Sequence, residues 1–243
     1  MKIFSTERLG RRLVFYFIGL FIMTLGIALS VKSNLGVSPV SSVPAAMTKS
    51  WGIEMGNATI ILHVAMVILQ IILLRKNYNP LNLLQIAVGV IFGKLTTLCN
   101  ALVAFFPEPA NMAVRIILTL VSIVLIAIGI FFYVPADIMP LAGEGLTGAF
   151  STVTKISFSK CKIIMDVTLV VSSLIICLVK IHSFGSVGIG TILAAVLVGT
   201  VHGFIVKIFG SWRDKVLGIN KISENNENDE EQSAEKVDGE GAL

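Results

Sequence analysis

Leu13–Val31 reads LVFYFIGLFIMTLGIALSV, an apolar run long enough to cross the roughly 30 Å hydrocarbon core of a membrane as a helix. Five further runs are of the same kind: Ala58–Leu74, Leu81–Phe106, Ile116–Val134, Ile163–Val179 and Val187–Phe209. Hydrophobic residues make up 55% of the 243 residues and the mean hydropathy is +0.87, which excludes an ordinary soluble domain. Alternation at period two is absent. The sequence therefore predicts an all-α polytopic membrane bundle of about six transmembrane helices.

One pattern occurs twice in the chain, with an offset of 103 residues (129 minus 26). Leu25–Leu29 (LGIAL) ends an apolar run and opens a polar, proline-containing stretch, and Ile128–Phe132 (IGIFF) does the same. At this offset His63 falls opposite Asp166. Membrane proteins built from two such units place their binding site where the units meet. We therefore predict two three-helix repeats, each with a short broken or re-entrant helix after its first span.

Basic residues predict that both termini are cytoplasmic. With six spans, fourteen lysines and arginines fall in cytoplasmic segments and four fall outside, in line with the positive-inside rule. The tail holds eight of the fifteen acidic residues and too little apolar content to order itself. The predicted organisation is a basic cytoplasmic N-terminus, two membrane repeats and a disordered acidic cytoplasmic tail: 1–12, 13–106, 113–209 and 218–243.

An eight-span alternative treats residues 36–56 and 138–158 as further spans. It gives the same fourteen-to-four distribution of basic residues, so charge does not choose between the two topologies. Both stretches are rich in polar residues, glycine and proline, and such spans are costly where they face lipid. Six spans are therefore favoured. Three spans per unit make the second unit inverted, whereas four would make the units parallel.

The break after the first span of each unit is a candidate binding segment. Ser38 before Pro39 is typical of a helix start, which attracts anionic groups, although it is equally typical of a capped connecting loop. Glu144 lies between glycines, which let a backbone approach a ligand, but it also fits an exposed loop carboxylate. The predicted substrate-binding residues are Ser38, Pro39, Ser41, Ser42, Asp137, Glu144, Gly145 and Lys94.

Ionisable residues within spans usually face the bundle interior, because they are expensive in lipid. Lys94, His63 and Asp166 form a candidate relay, in which His63 and Asp166 are assigned to proton or ion coupling. Other interpretations stay open. His63 also fits a packing residue, and Lys94 fits a side chain that reaches an interface. Asp166 also fits a simple salt bridge to Lys160 or Lys162.

Small residues four positions apart predict close helix packing. Gly89 and Gly93 form such a pair in the third span, and Ala195, Gly199 and Gly203 do so in the sixth. Packing between the units is favoured over a homodimer seam. The cysteines lack metal-ligand spacing, and no Walker, zinc-protease or hydrolase motif is present. We therefore predict no enzyme activity, catalytic residue, metal or cofactor, and no nucleic-acid partner.

These residues resemble the YczE/YyaS/YitT group of bacterial integral membrane proteins. The likeness covers roughly residues 13–209 and rests on Gly26–Leu29, Lys32, Leu35–Pro39, Ser41–Pro44, Leu84–Ile86, Asp137–Ile138, Glu144–Leu146, Gly190–Thr191 and Ala195–Gly199. It implies a multi-pass protein of the bacterial plasma membrane and supplies no activity.

The leading functional hypothesis is a secondary transporter or permease for a small polar solute, with its site at the repeat interface. Helix ends and Lys94 favour an anionic group, while Glu144 and Asp137 equally allow a cation or zwitterion. The predicted partners are the lipid bilayer and the solute, with a homodimer as a further option. A non-transporting membrane scaffold or regulatory partner of another complex is the alternative, and lipid flipping is a third hypothesis.

Overall fold

The computed structural model describes residues 9–219, which contain helices and no strand. Its α-helices are α1 (Leu9–Ser33), α2 (Pro39–Trp51), α3 (Met55–Leu74), α4 (Leu84–Ala104), α5 (Met112–Tyr133), α6 (Ala142–Thr154), α7 (Phe158–Ile181) and α8 (Ile189–Leu217). Short 3-10 turns adjoin α3, α4 and α5 at Arg75–Asn77, Pro80–Leu83 and Val134–Ala136. The predicted segments 1–12 and 218–243 lie mostly outside the described residues.

The six long helices, α1, α3, α4, α5, α7 and α8, are long and apolar enough to cross a membrane. The predicted all-α membrane bundle is therefore confirmed. Helices α2 and α6 have 13 residues each, or about 20 Å at 1.5 Å per residue. That length is too short to cross a core of about 30 Å, so the eight-span alternative finds no support in the described helices.

Helices α1 and α5 form the centre of the bundle and run antiparallel. The Phe15 and Phe132 rings, 5.2 Å apart, meet near one end of the pair. Glycines bring the two backbones together. A Cβ added at Gly19 would lie 2.8 Å from the carbonyl oxygen of Gly129, and one at Gly26 would lie 2.9 Å from that of Ser122. The apolar runs that open the two halves thus pack on each other.

Helix α2 begins inside the bundle and returns to the end at which α1 stops. Asn34, with φ 54°, and Gly36, with φ 117°, turn the chain back after α1. Pro39 starts the helix, and the left-handed Gly52 ends it. The Lys49 Nζ donates to Asn34 Oδ1 at 3.0 Å, which ties the end of α2 to the end of α1. The chain therefore runs into the bundle as the non-helical segment 34–38 and returns to the end of α1 as helix α2.

Helix α6 has the same construction 103 residues later (142 minus 39). Asp137, with φ 47°, stands at the position of Asn34, and the left-handed Lys155 stands at the position of Gly52. The N–H of Leu141, just before α6, donates to the Tyr133 hydroxyl at the end of α5. The predicted short helix after the first span is therefore present in both halves.

Each short helix is held by the opposite half of the chain: α2 packs on α7, and α6 packs on α3. The Ser173 and Ser186 hydroxyls donate to the Ser42 carbonyl oxygen at 2.9 and 3.1 Å. The Gln70 side-chain amide donates to the Ala142 carbonyl oxygen at 3.1 Å and to Gln85 Oε1 at 2.9 Å. These buried hydrogen bonds fix the starts of both short helices.

Gln70→Leu is expected to lower the free energy of unfolding by about 1–2 kcal/mol, because the buried Ala142 carbonyl and Gln85 lose their donor. Denaturation of the detergent-solubilised protein, followed by circular dichroism, measures the change. Thr168→Val is the matched control, since the exposed Thr168 hydroxyl bonds within its own helix. Equal stability of Gln70→Leu and the wild type would contradict this role.

The two halves differ in how their last two long helices pack. Helices α3 and α4 are close, because a Cβ added at Gly93 would lie 2.6 Å from the Gly56 carbonyl oxygen, and Gly89 also faces α3. In the described part of the chain, α7 and α8 scarcely touch. A Cβ added at Gly199 or Gly203 would have no described atom within 4 Å. Gly89 and Gly93 thus pack within one half rather than between the halves, and a gap separates α7 from α8.

Candidate functional site

A cavity of about 320 Å³ lies where the N-termini of α2 and α6 approach each other, beside α1 and α5. It is also lined by α7 and α8, so it reaches the gap between them. Its polar side chains are Ser38, Ser41, His63, Glu144, Lys162 and Asp166, and its apolar wall includes Met23, Ile27, Phe92, Ile126, Ile130 and Val198. A largely apolar chamber with a few convergent polar groups is typical of a small-molecule site.

The start of α2 presents Ser38, Pro39 and Ser41 to the cavity. The Ser38 hydroxyl donates to Ser41 Oγ at 3.1 Å and caps no backbone N–H among residues 9–219. The Ser41 N–H is used by the Ser38 carbonyl at 3.0 Å, and Pro39 has no N–H. This helix start therefore offers few free donors to an anion.

Tyr133 holds Glu144, which lies in the first turn of α6, and Tyr16 packs beside Tyr133. The Tyr133 hydroxyl donates to Glu144 Oε2 at 2.6 Å and accepts the Leu141 N–H at 2.5 Å. The Tyr16 ring lies 5.4 Å from that of Tyr133, and its hydroxyl donates to the Met139 carbonyl at 2.8 Å. Sequence reasoning missed both tyrosines, because tyrosine in an apolar run also fits an interfacial residue.

Asp166 lines the cavity in an ion pair with Lys162, one turn earlier on α7. Both side chains are about one-third exposed, at 35% for Lys162 and 29% for Asp166. This pairing corresponds to one of the alternatives left open for Asp166. It places one ammonium group and one carboxylate on the same wall of the cavity.

His63 also lines the cavity, from α3, and is only 2% exposed. Its ring stacks on Phe92 with centroids 5.6 Å apart and an interplanar angle of 12°. Its Nδ1 is buried and has no hydrogen-bond partner in the described chain. An unpaired buried polar atom is costly, so His63 is a polar group that the surrounding protein leaves unsatisfied.

Four of the predicted binding residues lie away from the cavity: Ser42, Gly145, Asp137 and Lys94. The Ser42 hydroxyl donates to the Pro39 carbonyl at 2.7 Å and lies 3.3 Å from the Leu169 carbonyl oxygen of α7. Gly145 allows close packing, because a Cβ there would lie 2.5 Å from Gln85 Oε1. Asp137 is exposed in the turn after α5. In this structure Ser42, Gly145 and Asp137 serve packing and chain reversal, and their role in binding stays a prediction.

Lys94 is exposed, outside the cavity, near Glu54 at the start of α3. Burial raises the pKa of the Glu54 carboxyl. Hydrogen bonds from the Gly56 amide, the Thr97 hydroxyl at 2.8 Å and the Asn57 amide, together with the charge of Lys94, outweigh burial and bring the pKa below its usual value. Lys94 therefore supports a surface carboxylate rather than the cavity.

Both halves contribute to the cavity at corresponding positions. The pairs that are 103 residues apart and line it together are Met23 and Ile126, Ile27 and Ile130, Ser38 and Leu141, Val40 and Gly143, Ser41 and Glu144, His63 and Asp166, and Phe92 and Ala195. The predicted opposition of His63 and Asp166 thus corresponds to two side chains on one cavity. The polar pairs differ in chemistry, since carboxylates of the second half oppose a hydroxyl and an imidazole of the first.

A second cavity of about 290 Å³ lies beyond the end of α1, among Lys32, Glu108 and Arg115. The Lys32 Nζ donates to Glu108 at 2.7 Å and to the Phe106 carbonyl at 2.8 Å. The Glu108 side chain is 82% exposed. This cavity is a surface feature in which Lys32 and Glu108 pair with each other.

The described residues hold no group of three or more His, Cys, Asp or Glu side chains that could bind a metal ion. Cys99, Cys161 and Cys177 are buried and unpaired with one another. Cysteines in such positions behave as small packing residues.

Comparison with known proteins gives a relative without an assigned activity. The chain is 27% identical over 197 residues to the protein described as "Uncharacterized protein YyaS" of Bacillus subtilis (strain 168), covering 79% of this chain and 91% of that one. No solved structure matches. The six apolar helices and this relative indicate a multi-pass bacterial membrane protein, and the predicted resemblance to YyaS-like proteins is confirmed. The match over residues 10–207 shows that the chain belongs to the family described as "Family of unknown function (DUF6198)".

Proposed function

We propose that the protein is a secondary transporter, or permease, of the bacterial cell membrane that carries a small solute through the central cavity. The observation that carries this proposal is the convergence of two short helices, one from each half, on a single chamber. Discontinuous helices of this kind form the midplane substrate sites of many secondary transporters. The cavity also meets the central parts of α1 and α5, which suits such a depth.

The transporter proposal includes an inverted relation between the two halves. Gly19 and Ser122 are equivalent at the 103-residue offset, as are Gly26 and Gly129. Gly19 contacts Gly129, and Gly26 contacts Ser122, so equivalent residues exchange partners across the pair. Reciprocal contacts of this kind arise around a two-fold axis. Together with the antiparallel packing of α1 and α5, they support inverted repeats, and the basic residues support cytoplasmic termini.

Unequal packing of the two halves supports alternating access. In the first half α3 closes on α4, and in the second half α7 stands apart from α8 within the described residues. In transporters with inverted repeats, equivalent parts of the two halves move against each other around a fixed site. Under this proposal the α7–α8 gap is the open route to the cavity, and the second state closes it.

The cavity suits a small solute that is partly apolar and carries a polar group. Its volume of about 320 Å³ lies at the lower end of the range for small-molecule sites. The sequence-based preference for an anion depended partly on Lys94, which lies outside the cavity. The proposed solute is therefore polar without being defined by a negative charge.

Uptake into proteoliposomes tests the proposal. Vesicles with the purified protein, an imposed proton gradient and a defined mixture of bacterial metabolites are expected to accumulate at least one solute, detected by mass spectrometry of the vesicle contents. Gly199→Phe is expected to abolish this accumulation, because Gly199 lines the cavity and has open space around it. Val196→Phe is the matched control on the same helix, since Val196 is 63% exposed and does not line the cavity.

Two results would contradict the transporter. One is the failure of folded wild-type protein to accumulate any solute beyond empty vesicles. The other is equal accumulation by Gly199→Phe and the wild type. The first result would favour the alternative, a non-transporting membrane scaffold or regulatory partner of another complex.

A further inference from the structure

The geometry points to the solute class: a small organic monocation with an apolar body, whose cationic group binds beside Glu144 and Asp166. This inference rests on the proposed transporter function and adds the chemistry of the ligand. It follows from the groups that line the cavity and from the hydrogen bonds in which they already take part.

The polar groups of the cavity are mainly acceptors. Glu144 and Asp166 provide two carboxylates. A carboxylate can accept several hydrogen bonds, and Glu144 uses part of that capacity on the Tyr133 hydroxyl. The donors at the helix starts are largely taken, because the Ser41 and Leu141 N–H groups bond within the protein. A ligand that brings N–H donors therefore complements the free acceptor positions of this cavity.

The formal charge of the cavity is negative. Lys162 is the cavity-lining ammonium group in the described chain, and its charge is matched by Asp166. Glu144 forms no ion pair among residues 9–219: its close contact is the neutral Tyr133 hydroxyl, and the nearby Lys162 charge is already matched by Asp166. Opposite charges interact strongly where water is scarce, so the Glu144 carboxylate favours a single positive charge on the ligand.

His63 is the remaining titratable side chain on the cavity wall. It lines the cavity, is 2% exposed, and has a buried ring nitrogen with no partner among residues 9–219. A buried imidazole without an acceptor is less costly when neutral, and a neutral imidazole offers one acceptor nitrogen. The unpaired Nδ1 lies against the backbone of Gly89 on α4, where an added Cβ would lie 2.8 Å from it, so it faces that helix and not the open cavity. A neutral His63 also brings no charge that opposes a cation.

The remaining wall determines the body of the ligand. Apolar side chains of α1, α4, α5 and α8 surround the space beside the carboxylates, among them Met23, Ile27, Phe92, Ile130 and Val198. Burying apolar ligand surface against them contributes binding energy that a fully hydrated inorganic cation cannot gain. The cavity therefore favours an amine with a hydrocarbon or aromatic body over a metal ion.

Isothermal titration calorimetry on the detergent-purified full-length protein tests the ligand class. Two matched series serve as probes at neutral pH: phenylethylamine, phenylethanol and phenylacetate, and butylamine, butanol and butyrate. In at least one series the amine is expected to bind about tenfold or more tightly than the alcohol, with no measurable binding of the anion. Glu144→Gln is expected to weaken amine binding by about tenfold or more and to leave the alcohol unchanged.

Two further variants keep the test independent of folding defects. Asp137→Asn removes an exposed carboxylate outside the cavity and is expected to bind the amine as the wild type does. Asp166→Asn releases Lys162 from its ion pair, and it is expected to lose amine affinity and to gain affinity for the anion. Each variant is compared only after its elution profile and thermal midpoint match those of the wild type.

Three results would overturn the monocation inference. Folded wild-type protein could bind neither amine, or it could bind an anion more tightly than the matching amine. The third result is that the Glu144→Gln variant binds the amine as tightly as the wild type does. These outcomes are separable from failure of the transporter proposal. Amine binding without uptake into vesicles would contradict the transporter proposal and support the proposed ligand class. Accumulation of an anionic solute would support the transporter proposal and contradict the monocation inference.

Discussion

Gly129→Leu is expected to leave little folded protein in the membrane. A Cβ at Gly129 would lie 2.7 Å from Met23 Cβ and 2.8 Å from the Gly19 carbonyl oxygen, so α1 and α5 must separate to admit any side chain. Overpacking of a close interface costs about 1–3 kcal/mol, and a leucine between two backbones falls at or above the top of that range. The loss is expected to be large because α1 and α5 form the most extensive helix pair in the described fold.

Detergent extraction followed by size-exclusion chromatography and a thermal melt measures this effect. Gly203→Leu is the matched control, because it makes the same change in a long helix where an added Cβ meets no described atom within 4 Å. It is expected to give near wild-type yield and thermal midpoint. A Gly129→Leu protein that melts with the Gly203→Leu control would contradict the close α1–α5 packing.

The membrane spans and the two short helices were predictable from sequence because their signals are local. A long apolar run identifies a span, and a polar break with Ser38 and Pro39 identifies a helix start. The 103-residue offset also placed His63 opposite Asp166, and the two residues line one cavity. That relation could be predicted because equivalent positions in two related units meet where the units pack on each other.

The face on which a charged residue lies was not predictable in the same way. In a helix that is apolar on all sides, hydrophobic periodicity does not separate the lipid face from the protein face. Lys94, which the sequence predicts as a binding residue, is therefore exposed outside the cavity in the structure. Lys162, which the sequence does not predict as a binding residue, lines the cavity. Tyr133 shows the same limit, because its hydrogen bond to Glu144 depends on the turn that precedes α6.

Each short helix packs against the other half of the chain, and this arrangement depends on tertiary contacts that the sequence does not name. Ser173 and Gln70 lie within apolar runs, and single polar residues there indicate a buried partner without naming it. Their partners, the carbonyl groups of Ser42 and Ala142, belong to the other half of the chain. The same reason explains why the sequence predicts close packing for both small-residue motifs, although only that of α4 is packed within the described structure.

A disulfide between Ile163→Cys and Gly199→Cys is expected to stop solute uptake by holding α7 against α8. Their equivalents in the first half are Ile60 and Gly93, where a Cβ added at Gly93 would contact the Ile60 side chain. Closure of the second half would create the same contact, and a disulfide requires Cβ atoms about 3.5–4.5 Å apart. Ile163 is 64% exposed and Gly199 has open space around it, so both cysteines are expected to be tolerated.

The measurement is uptake by a variant with alanine at the three native cysteine positions, before oxidation, after oxidation and after reduction. Ile163→Cys with Val201→Cys is the control, because Val201 lies two residues beyond Gly199 and about 200° around the helix. Full uptake by completely crosslinked protein, or absence of crosslinking while uptake proceeds, would contradict closure of the gap. Uptake that is lost on oxidation and restored by reduction in the Gly199 pair alone would link closure of the α7–α8 gap to transport. The difference in packing between the halves would then represent one of two working states.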